Sequence, residues 1–260
     1  MTVANRPREV ARNLLRTYFA LGNATPGSTV TQEVGFDLCT GSFDHPICNF
    51  AANVNLDPWT ANRLAEIALG KQHFNIYSLP GDMPGAREVR DEILARAGFR
   101  RIYSLRQMVW EPSPIESQCV PEPAVSTDDR SRVASFMASQ FFSRHSSNFR
   151  RRVADATVAA EELDLYSLGK RTDPIAAVMV AEDDALIGLF NLCVKPGNQN
   201  RGIGASLVSA IQAMAYGKGK PVGLQCEESL VTWYESQGFC ANGYVDVYAL
   251  PDERRIAIID

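Results

Sequence analysis

The stretch Asn191-Leu-Cys-Val-Lys-Pro-Gly-Asn-Gln-Asn-Arg-Gly-Ile-Gly-Ala-Ser-Leu207 has the pattern of a strand, a loop and the start of a helix. Residues 191–194 form a short apolar run, which the Pro-Gly-Asn sequence of residues 196–198 interrupts. Apolar residues then recur at helical spacing, namely Ile203, Leu207, Ala210, Ile211 and Met214. A polar turn with glycines is therefore predicted at a helix N-terminus, directly after a strand.

Such a turn is suited to binding an anion. The first N–H groups of a helix lack an intrahelical acceptor, and the helix dipole places partial positive charge at the same end. Glycines let the backbone approach a ligand closely. The turn has neither the Gly-Lys-Ser/Thr of a P-loop nor the Gly-x-Gly-x-x-Gly of a dinucleotide fingerprint. The sequence therefore predicts a phosphate site of a different kind.

Two motifs together resemble a known superfamily. The pattern Gln-x-x-Gly-x-Gly at residues 199–204 resembles the pyrophosphate loop of the GNAT acetyltransferases. The stretch Leu230-Val-Thr-Trp-Tyr-Glu-Ser-Gln-Gly-Phe239 is similar to the helix of that family that carries a tyrosine and ends at Gly-Phe. Residues 222–226 fit the strand that separates the two helices. The resemblance covers residues 125–250.

The resemblance implies a co-substrate, acetyl-CoA, and no metal. In the family, the strand before the loop splays from its neighbour and pairs with the pantetheine arm, while the loop holds the pyrophosphate. Carried over to this sequence, the cofactor-binding residues are Leu192, Cys193, Val194, Gln199, Asn200, Arg201, Gly202, Ile203, Gly204 and Ala205. Tyr234 matches the tyrosine with which many relatives protonate the leaving thiolate, so it is the implied catalytic residue.

The resemblance leaves the general base open. Glu227 and Glu228 follow the strand at residues 222–226, and they are either solvated carboxylates or candidates for the base. Many relatives carry Asn at the position of Glu227, and family members also use water chains. His145 is interpreted as a loop histidine. Cys193 and Cys226 are interpreted as buried strand residues, because a direct transfer needs no nucleophilic thiol.

The first half of the chain repeats the order of elements. Helices are predicted at residues 9–21, from Pro58 onward and at 88–97, and strands at 29–40, 46–56, 74–79 (ended by Pro80-Gly81) and 103–110. Gly98-Phe99 corresponds to Gly238-Phe239 of the second half. The first half lacks Gln-x-x-Gly-x-Gly, and Leu94 stands where the second half has Tyr234.

These patterns predict an α/β (α+β) protein of two tandem GNAT-like domains, each a mixed, mainly antiparallel twisted sheet flanked by helices. Residues 1–112 form a degenerate copy, 113–125 a Pro-rich linker and 126–260 the catalytic domain. In the last of these, Ser126 or Thr127 is predicted to cap a helix that runs to residue 142. A helix at 148–159 and strands at 163–168, 175–181, 185–194 and 244–250 follow.

Composition narrows the functional classes. Of the 260 residues, 45% are hydrophobic and 22% charged, and the formal net charge is −4, so no basic field recruits nucleic acid or membrane. No apolar run approaches the roughly 18–20 residues of a membrane helix, and the N-terminus does not resemble a signal peptide. The six cysteines include no Cys-x-x-Cys pair, which favours reduced thiols in a cytoplasmic protein.

The favoured hypothesis is an N-acetyltransferase that moves an acetyl group from acetyl-CoA directly to a primary amine of a small molecule. The first domain is then a wall of the acceptor site or a scaffold. One alternative is a non-catalytic regulatory module that binds acetyl-CoA, and another is a protein acetyltransferase acting on lysine or an N-terminus. The expected partner is the amine acceptor, with neither nucleic acid nor membrane, and the protein is expected to be a monomer or a homodimer.

Overall fold

A computed structural model of the chain describes residues 6–71, 73–79 and 87–251. The helices within these ranges are α1 (Pro7–Ala24), α2 (Pro58–Leu69), α3 (Arg87–Arg96), α4 (Thr127–Phe141), α5 (Ser147–Ala159), α6 (Ile203–Gly217) and α7 (Val231–Ser236). The strands are β1 (Ser28–Glu33), β2 (Phe36–Gly41), β3 (Phe50–Ala52), β4 (Asn75–Ser78), β5 (Arg100–Trp110), β6 (Glu122–Pro123), β7 (Asp164–Lys170), β8 (Asp173–Glu182), β9 (Ile187–Val194), β10 (Val222–Cys226) and β11 (Cys240–Ala249).

All eleven of these strands belong to one mixed sheet, in the order β1-β2-β3-β4-β11-β5-β10-β9-β8-β7-β6. The pairs β3–β4 and β9–β10 are parallel, and the other pairs are antiparallel. The prediction of a mixed, mainly antiparallel sheet flanked by helices is therefore confirmed.

The two halves of the chain exchange their last strands. β5 ends the first half but lies between β10 and β11 of the second half, and β11 lies between β4 and β5. Tyr244 to Ala249 of β11 pair with Arg100 to Arg106 of β5, and Tyr248 also pairs with Ile76 of β4. One continuous sheet thus joins the halves. The predicted domain limits at residues 112 and 126 stay a prediction.

Helix α1 packs across the centre of this sheet. Its apolar face, including Val10, Leu14 and Leu15, is buried, and the helix contacts β1 and β2 as well as β8 to β11. The Asn13 side chain donates to the Ala181 carbonyl (3.0 Å) and to Asp183 (2.8 Å). A side chain at Gly188 of β9 would collide with Asn13, so this glycine permits the close approach of helix and strand.

Two predicted strands are wrong in detail. Residues 29–40 form the hairpin β1–β2, because Gly35 takes a left-handed conformation (φ 91°) and turns the chain back. Residues 46–56 contain a 3-10 turn, Pro46–Cys48, before the short strand β3, because His45 caps the turn by accepting from the Ile47 N–H. The predicted linker contributes β6, which pairs with β7.

The starts of helices α4 and α5 agree closely with those predicted from the sequence. Ser126 caps α4 by accepting from the Asp129 N–H, as expected, and α5 begins one residue before its predicted start. The predicted strand end at Pro80-Gly81 lies outside the described residues. Among the residues that the structure describes, no helix is long and apolar enough to cross a membrane, and no group of three His, Cys, Asp or Glu could hold a metal ion.

Candidate functional site

Strands β9 and β10 diverge at the candidate site. They pair only at Ile187 and Gly188 of β9, whereas β9 stays paired with β8 as far as Val194. The register of β8 and β9 shifts beyond Phe190, where Asn191 adopts a left-handed conformation (φ 50°), so a bulge bends β9 at this point. No described strand pairs with the β10-facing edge of β9 beyond Gly188. The splayed strand implied by the family resemblance is therefore present.

The loop after β9 is held in place by a hydrogen bond from the Gln199 side chain and by two residues in left-handed conformations. The Gln199 amide donates to the Val194 carbonyl at 3.0 Å, which ties the loop to the end of the strand. Asn200 (φ 60°) and Gly202 (φ 76°) both adopt left-handed conformations, which asparagine and glycine tolerate better than other residues. The chain then enters α6 with Gly202 as N-cap, and no side chain caps the helix.

The start of α6 presents a run of N–H donors. The first intrahelical bond runs from the Ser206 N–H to the Gly202 carbonyl. No described residue accepts from the backbone N–H groups of residues 200–205. A Cβ built at Gly202 would meet nothing within 4 Å, so the space above the glycine is open. Unpaired donors, the helix dipole and open space are the features that suit a helix start to binding an anion.

A cavity of about 530 Å³ joins this helix start to the free edge of β9. Of the ten predicted cofactor-binding residues, all but Arg201 line it, and so does Tyr234. Arg201 is exposed and makes no ion pair with the described residues. Its place among the cofactor-binding residues stays a prediction.

Tyr234 reaches the cavity from α7. The residue is buried (6% exposed), and its ring packs edge-on against Trp233 and Phe239, with centroid distances of 4.7 and 5.6 Å. Its hydroxyl makes no hydrogen bond to the described residues. Burial raises the pKa of Tyr234 above its ordinary value, so the phenol stays protonated at neutral pH and is available as a proton donor.

The two cysteines near the cavity are poor nucleophiles. Burial raises the pKa of the Cys193 thiol to about 12 and that of the Cys226 thiol to about 11. Because the thiolate is the reactive form, both thiols are inert at neutral pH. This agrees with their interpretation as buried strand residues.

The candidate bases lie away from the cavity. Glu228 accepts from the Arg106 guanidinium (3.0 Å), and Glu227 is exposed at the start of the 3-10 turn Glu228–Leu230. His145 is exposed on the turn between α4 and α5. None of these three residues lines the cavity that Tyr234 lines. The geometry therefore assigns the base to none of them.

Sequence reasoning missed part of the wall. Six further residues line the cavity, namely Gln140, Phe141, Pro196, Asn198, Leu230 and Trp233. Phe141 is an apolar residue of α4 that is 48% exposed, and because this exposure is set by the fold, no sequence signal pointed to it. Trp233 lies 3.6 Å from a Cβ built at Gly204, so it packs over the start of α6.

The comparisons with known proteins support the same fold. No family model matches the sequence, and no curated protein matches it either. Among solved structures, a GCN5-related N-acetyltransferase from Kribbella flavida superposes with a TM-score of 0.65 at 12% identity, covering 96% of this chain and 97% of that one.

Two further structures also match nearly the whole chain. A GNAT-family acetyltransferase from Novosphingobium aromaticivorans has a TM-score of 0.55 at 17% identity and covers 95% of this chain and 98% of its own. A tandem GNAT protein from the clavulanic acid biosynthesis pathway has a TM-score of 0.55 at 13% identity, with coverages of 95% and 96%. The chain therefore has the fold of the GNAT acetyltransferases.

Proposed function

We propose that this protein is an N-acetyltransferase that transfers an acetyl group from acetyl-CoA to a primary amine of a small molecule. One observation carries the proposal. The unpaired N–H groups of residues 200–205, the open edge of β9 and Tyr234 all border one cavity. An anion site, an extended main-chain edge and a proton donor are three of the features that this transfer requires, and the fourth is a base or water that takes the proton of the ammonium group.

The cavity fits acetyl-CoA, which supplies the activated acetyl thioester. The N–H groups of residues 200–205 would hold the pyrophosphate, and Gly202 leaves the space for it because a Cβ there meets nothing within 4 Å. The backbone of Leu192, Cys193 and Val194 would pair with the amides of the pantetheine arm. Gln199 supports this arrangement indirectly, by fixing the loop to the Val194 carbonyl.

Tyr234 provides the acid of the reaction. A phenol is protonated at neutral pH even at its ordinary pKa, so the Tyr234 hydroxyl can give a proton to the leaving sulfur. Among the described residues, no Asp, Glu or His lines the cavity, so no side chain is assigned to take the ammonium proton. The same observation favours the alternative of a non-catalytic module that binds acetyl-CoA.

We further propose that the first half is a degenerate second copy of the fold and a scaffold without a cofactor site of its own. The start of α2, which corresponds to the start of α6, is capped by Asp57. We also propose that the protein is cytoplasmic and acts as a monomer or homodimer. The net charge of −4 supports the proposal that neither nucleic acid nor membrane is a partner.

Calorimetric titration with acetyl-CoA tests the cofactor site. We expect micromolar binding by the wild type and a loss of about a hundredfold or more in Gly202→Glu, because the carboxylate would occupy and repel the pyrophosphate position. Gly217→Glu, which adds the same charge at the opposite end of α6, is the matched control. This control should bind with nearly wild-type affinity.

The outcomes separate the hypotheses. A folded wild type that does not bind acetyl-CoA would contradict the acyltransferase proposal. Binding without turnover of any amine would favour the non-catalytic module. If binding is found, a screen of small primary amines against lysine peptides and peptide N-termini follows. Turnover of peptides but not of small amines would identify a protein acetyltransferase instead.

A further inference from the structure

A second cavity, of about 500 Å³, lies on the other side of the last turn of α4. It is lined by loop residues 42–46, by His73 and by residues around the turn from α4 to α5. Gln140 and Phe141 line the first cavity, whereas the next residue, Phe142, lines this one. All three histidines of the sequence, His45, His73 and His145, lie in its wall.

Phenylalanine and histidine rings form much of the wall of this cavity. The His145 ring stacks on Phe149 with a centroid distance of 4.3 Å, and Phe43 lies 5.0 Å from Phe149 on the other side. Phe43 is also stacked with His45 at 5.7 Å. A planar apolar group can therefore make favourable ring contacts here.

One charge in the wall has no partner among the described residues. The Arg152 guanidinium carbon lies 4.2 Å from the centroid of the Phe43 ring, which holds the side chain over the cavity wall. Arg152 makes no hydrogen bond or ion pair with the described residues. The wall also contains one carboxylate, Asp44, which lies within hydrogen-bond distance of Nδ1 of His73 (2.7 Å). Arg152 is thus the cation that is left to receive an anionic ligand.

Neutral donors surround this cation. Ser146 caps α5 by accepting from the Phe149 N–H, and no described residue accepts from the N–H groups of Ser147 and Asn148. The Nδ1 atom of His45 accepts from the Ile47 N–H at 2.9 Å, so in the neutral ring the proton is on Nε2, which can donate. Burial lowers the pKa of His45 to about 4, so the ring is neutral at pH 7.

We propose that this second cavity binds a small organic carboxylate that carries an aromatic ring. Arg152 pairs with the carboxylate, as its planar fork of donors allows, and the N–H groups at the start of α5 assist. The ring of the ligand packs against Phe43 and Phe149. This site is separate from the proposed acetyl-CoA cavity, and its occupancy does not depend on the acetyltransferase proposal.

The three histidines give a direct test on the wild-type protein. Because every histidine of the chain lines this cavity, side-chain imidazole signals in NMR report on it selectively. We expect benzoate to shift these signals saturably at a fixed pH of about 7.5, where His45 is neutral. Benzylamine, with the same ring and the opposite charge, should not bind, and acetate, which lacks the ring, should bind at least about fivefold more weakly.

A matched pair of variants locates the carboxylate. Arg152→Met should weaken benzoate binding about tenfold or more, the loss of one charge-assisted contact. Arg151→Met makes the same change one residue earlier on α5, at a side chain that does not line the cavity, and should bind as the wild type does. Circular dichroism checks that both variants are folded.

Four results would overturn the proposal. These are the absence of a saturable imidazole shift with benzoate up to about 10 mM, equal or tighter binding of benzylamine, unchanged benzoate binding in folded Arg152→Met, and equal binding of acetate and benzoate. The last of these would exclude a role for the aromatic wall. If Arg152→Met does not fold, the comparison of benzoate with benzylamine on the wild type still decides the sign of the ligand charge.

Discussion

The starts of helices α2 and α6 occupy corresponding places in the two halves of the chain but differ in the groups that they present to an anion. Each helix follows a strand that pairs in parallel with the next strand of the sheet, β3 with β4 and β9 with β10. At α2, the Asp57 carboxylate accepts from the Thr60 N–H at 2.7 Å, and Pro58 has no N–H to offer. At α6, Gly202 has no side chain, and the donors stay unpaired.

Few residues separate the proposed scaffold from the proposed binding site. A capping carboxylate satisfies the donors of the helix and also places a negative charge where a phosphate would lie. A glycine N-cap leaves both the donors and the space available. The first half therefore keeps the strand and helix of the fold while closing the position at which the second half is open.

Helices α3 and α7 show a second contrast of the same kind. Both end alike: the Phe99 N–H donates to the Leu94 carbonyl at 2.9 Å, and the Phe239 N–H donates to the Tyr234 carbonyl at 3.1 Å. Gly98 and Gly238 precede these phenylalanines with left-handed φ angles of 97° and 83°. At the corresponding position, Leu94 fills a core, whereas Tyr234 presents a hydroxyl.

The largest effect is expected from Leu94→Ala. Leu94 is 1% exposed and packs within the core cluster that contains Leu64 and Phe99, so its truncation leaves a cavity. We expect a loss of about 3 kcal/mol in the free energy of unfolding, measured by urea titration. Acetyl-CoA affinity of the folded variant should be unchanged. A loss below about 1 kcal/mol, or a weaker affinity, would show that this position is not purely structural.

A smaller effect, on catalysis alone, is expected from Tyr234→Phe. Removal of the proton donor should lower kcat about a hundredfold, with little change in the KM for acetyl-CoA. Stability should change by less than about 0.5 kcal/mol, because the hydroxyl has no hydrogen-bond partner among the described residues. Tyr216→Phe, on an exposed face of α6, is the matched control. An unchanged kcat would remove Tyr234 from the catalytic role.

Local sequence signals predicted the parts of this site that depend on local geometry. The sequence alone predicted Gln199, Gly202 and Gly204. A left-handed N-cap and a hydrogen bond from the loop to the strand involve only residues that are close together in the chain. The pair of Gly-Phe helix ends was recognisable for the same reason. The turn at Gly35 was missed, because the β-rich residues on both sides read as one strand.

Features that depend on contacts between residues far apart in the chain could not be predicted from the sequence. The exchange of β5 and β11 depends on which edge each strand meets in the folded sheet. The contributions of Gln140 and Phe141 to the cavity depend on how α4 lies against β9. The cluster of three histidines brings together residues 45, 73 and 145, which no local pattern could associate.

The smallest effect, and the sharpest test of the comparison between α2 and α6, comes from Asp57→Ala. Loss of the cap should lower the free energy of unfolding by about 1 kcal/mol, whereas Asp57→Asn, which can still cap, should lose only a few tenths. Acetyl-CoA should still bind with a stoichiometry of one per chain. Removing the carboxylate does not create a second site, because Pro58 has no N–H and only the donors of Trp59 and Thr60 are then unpaired in the first turn. A stoichiometry of two by calorimetry would show that Asp57 alone keeps the first half closed.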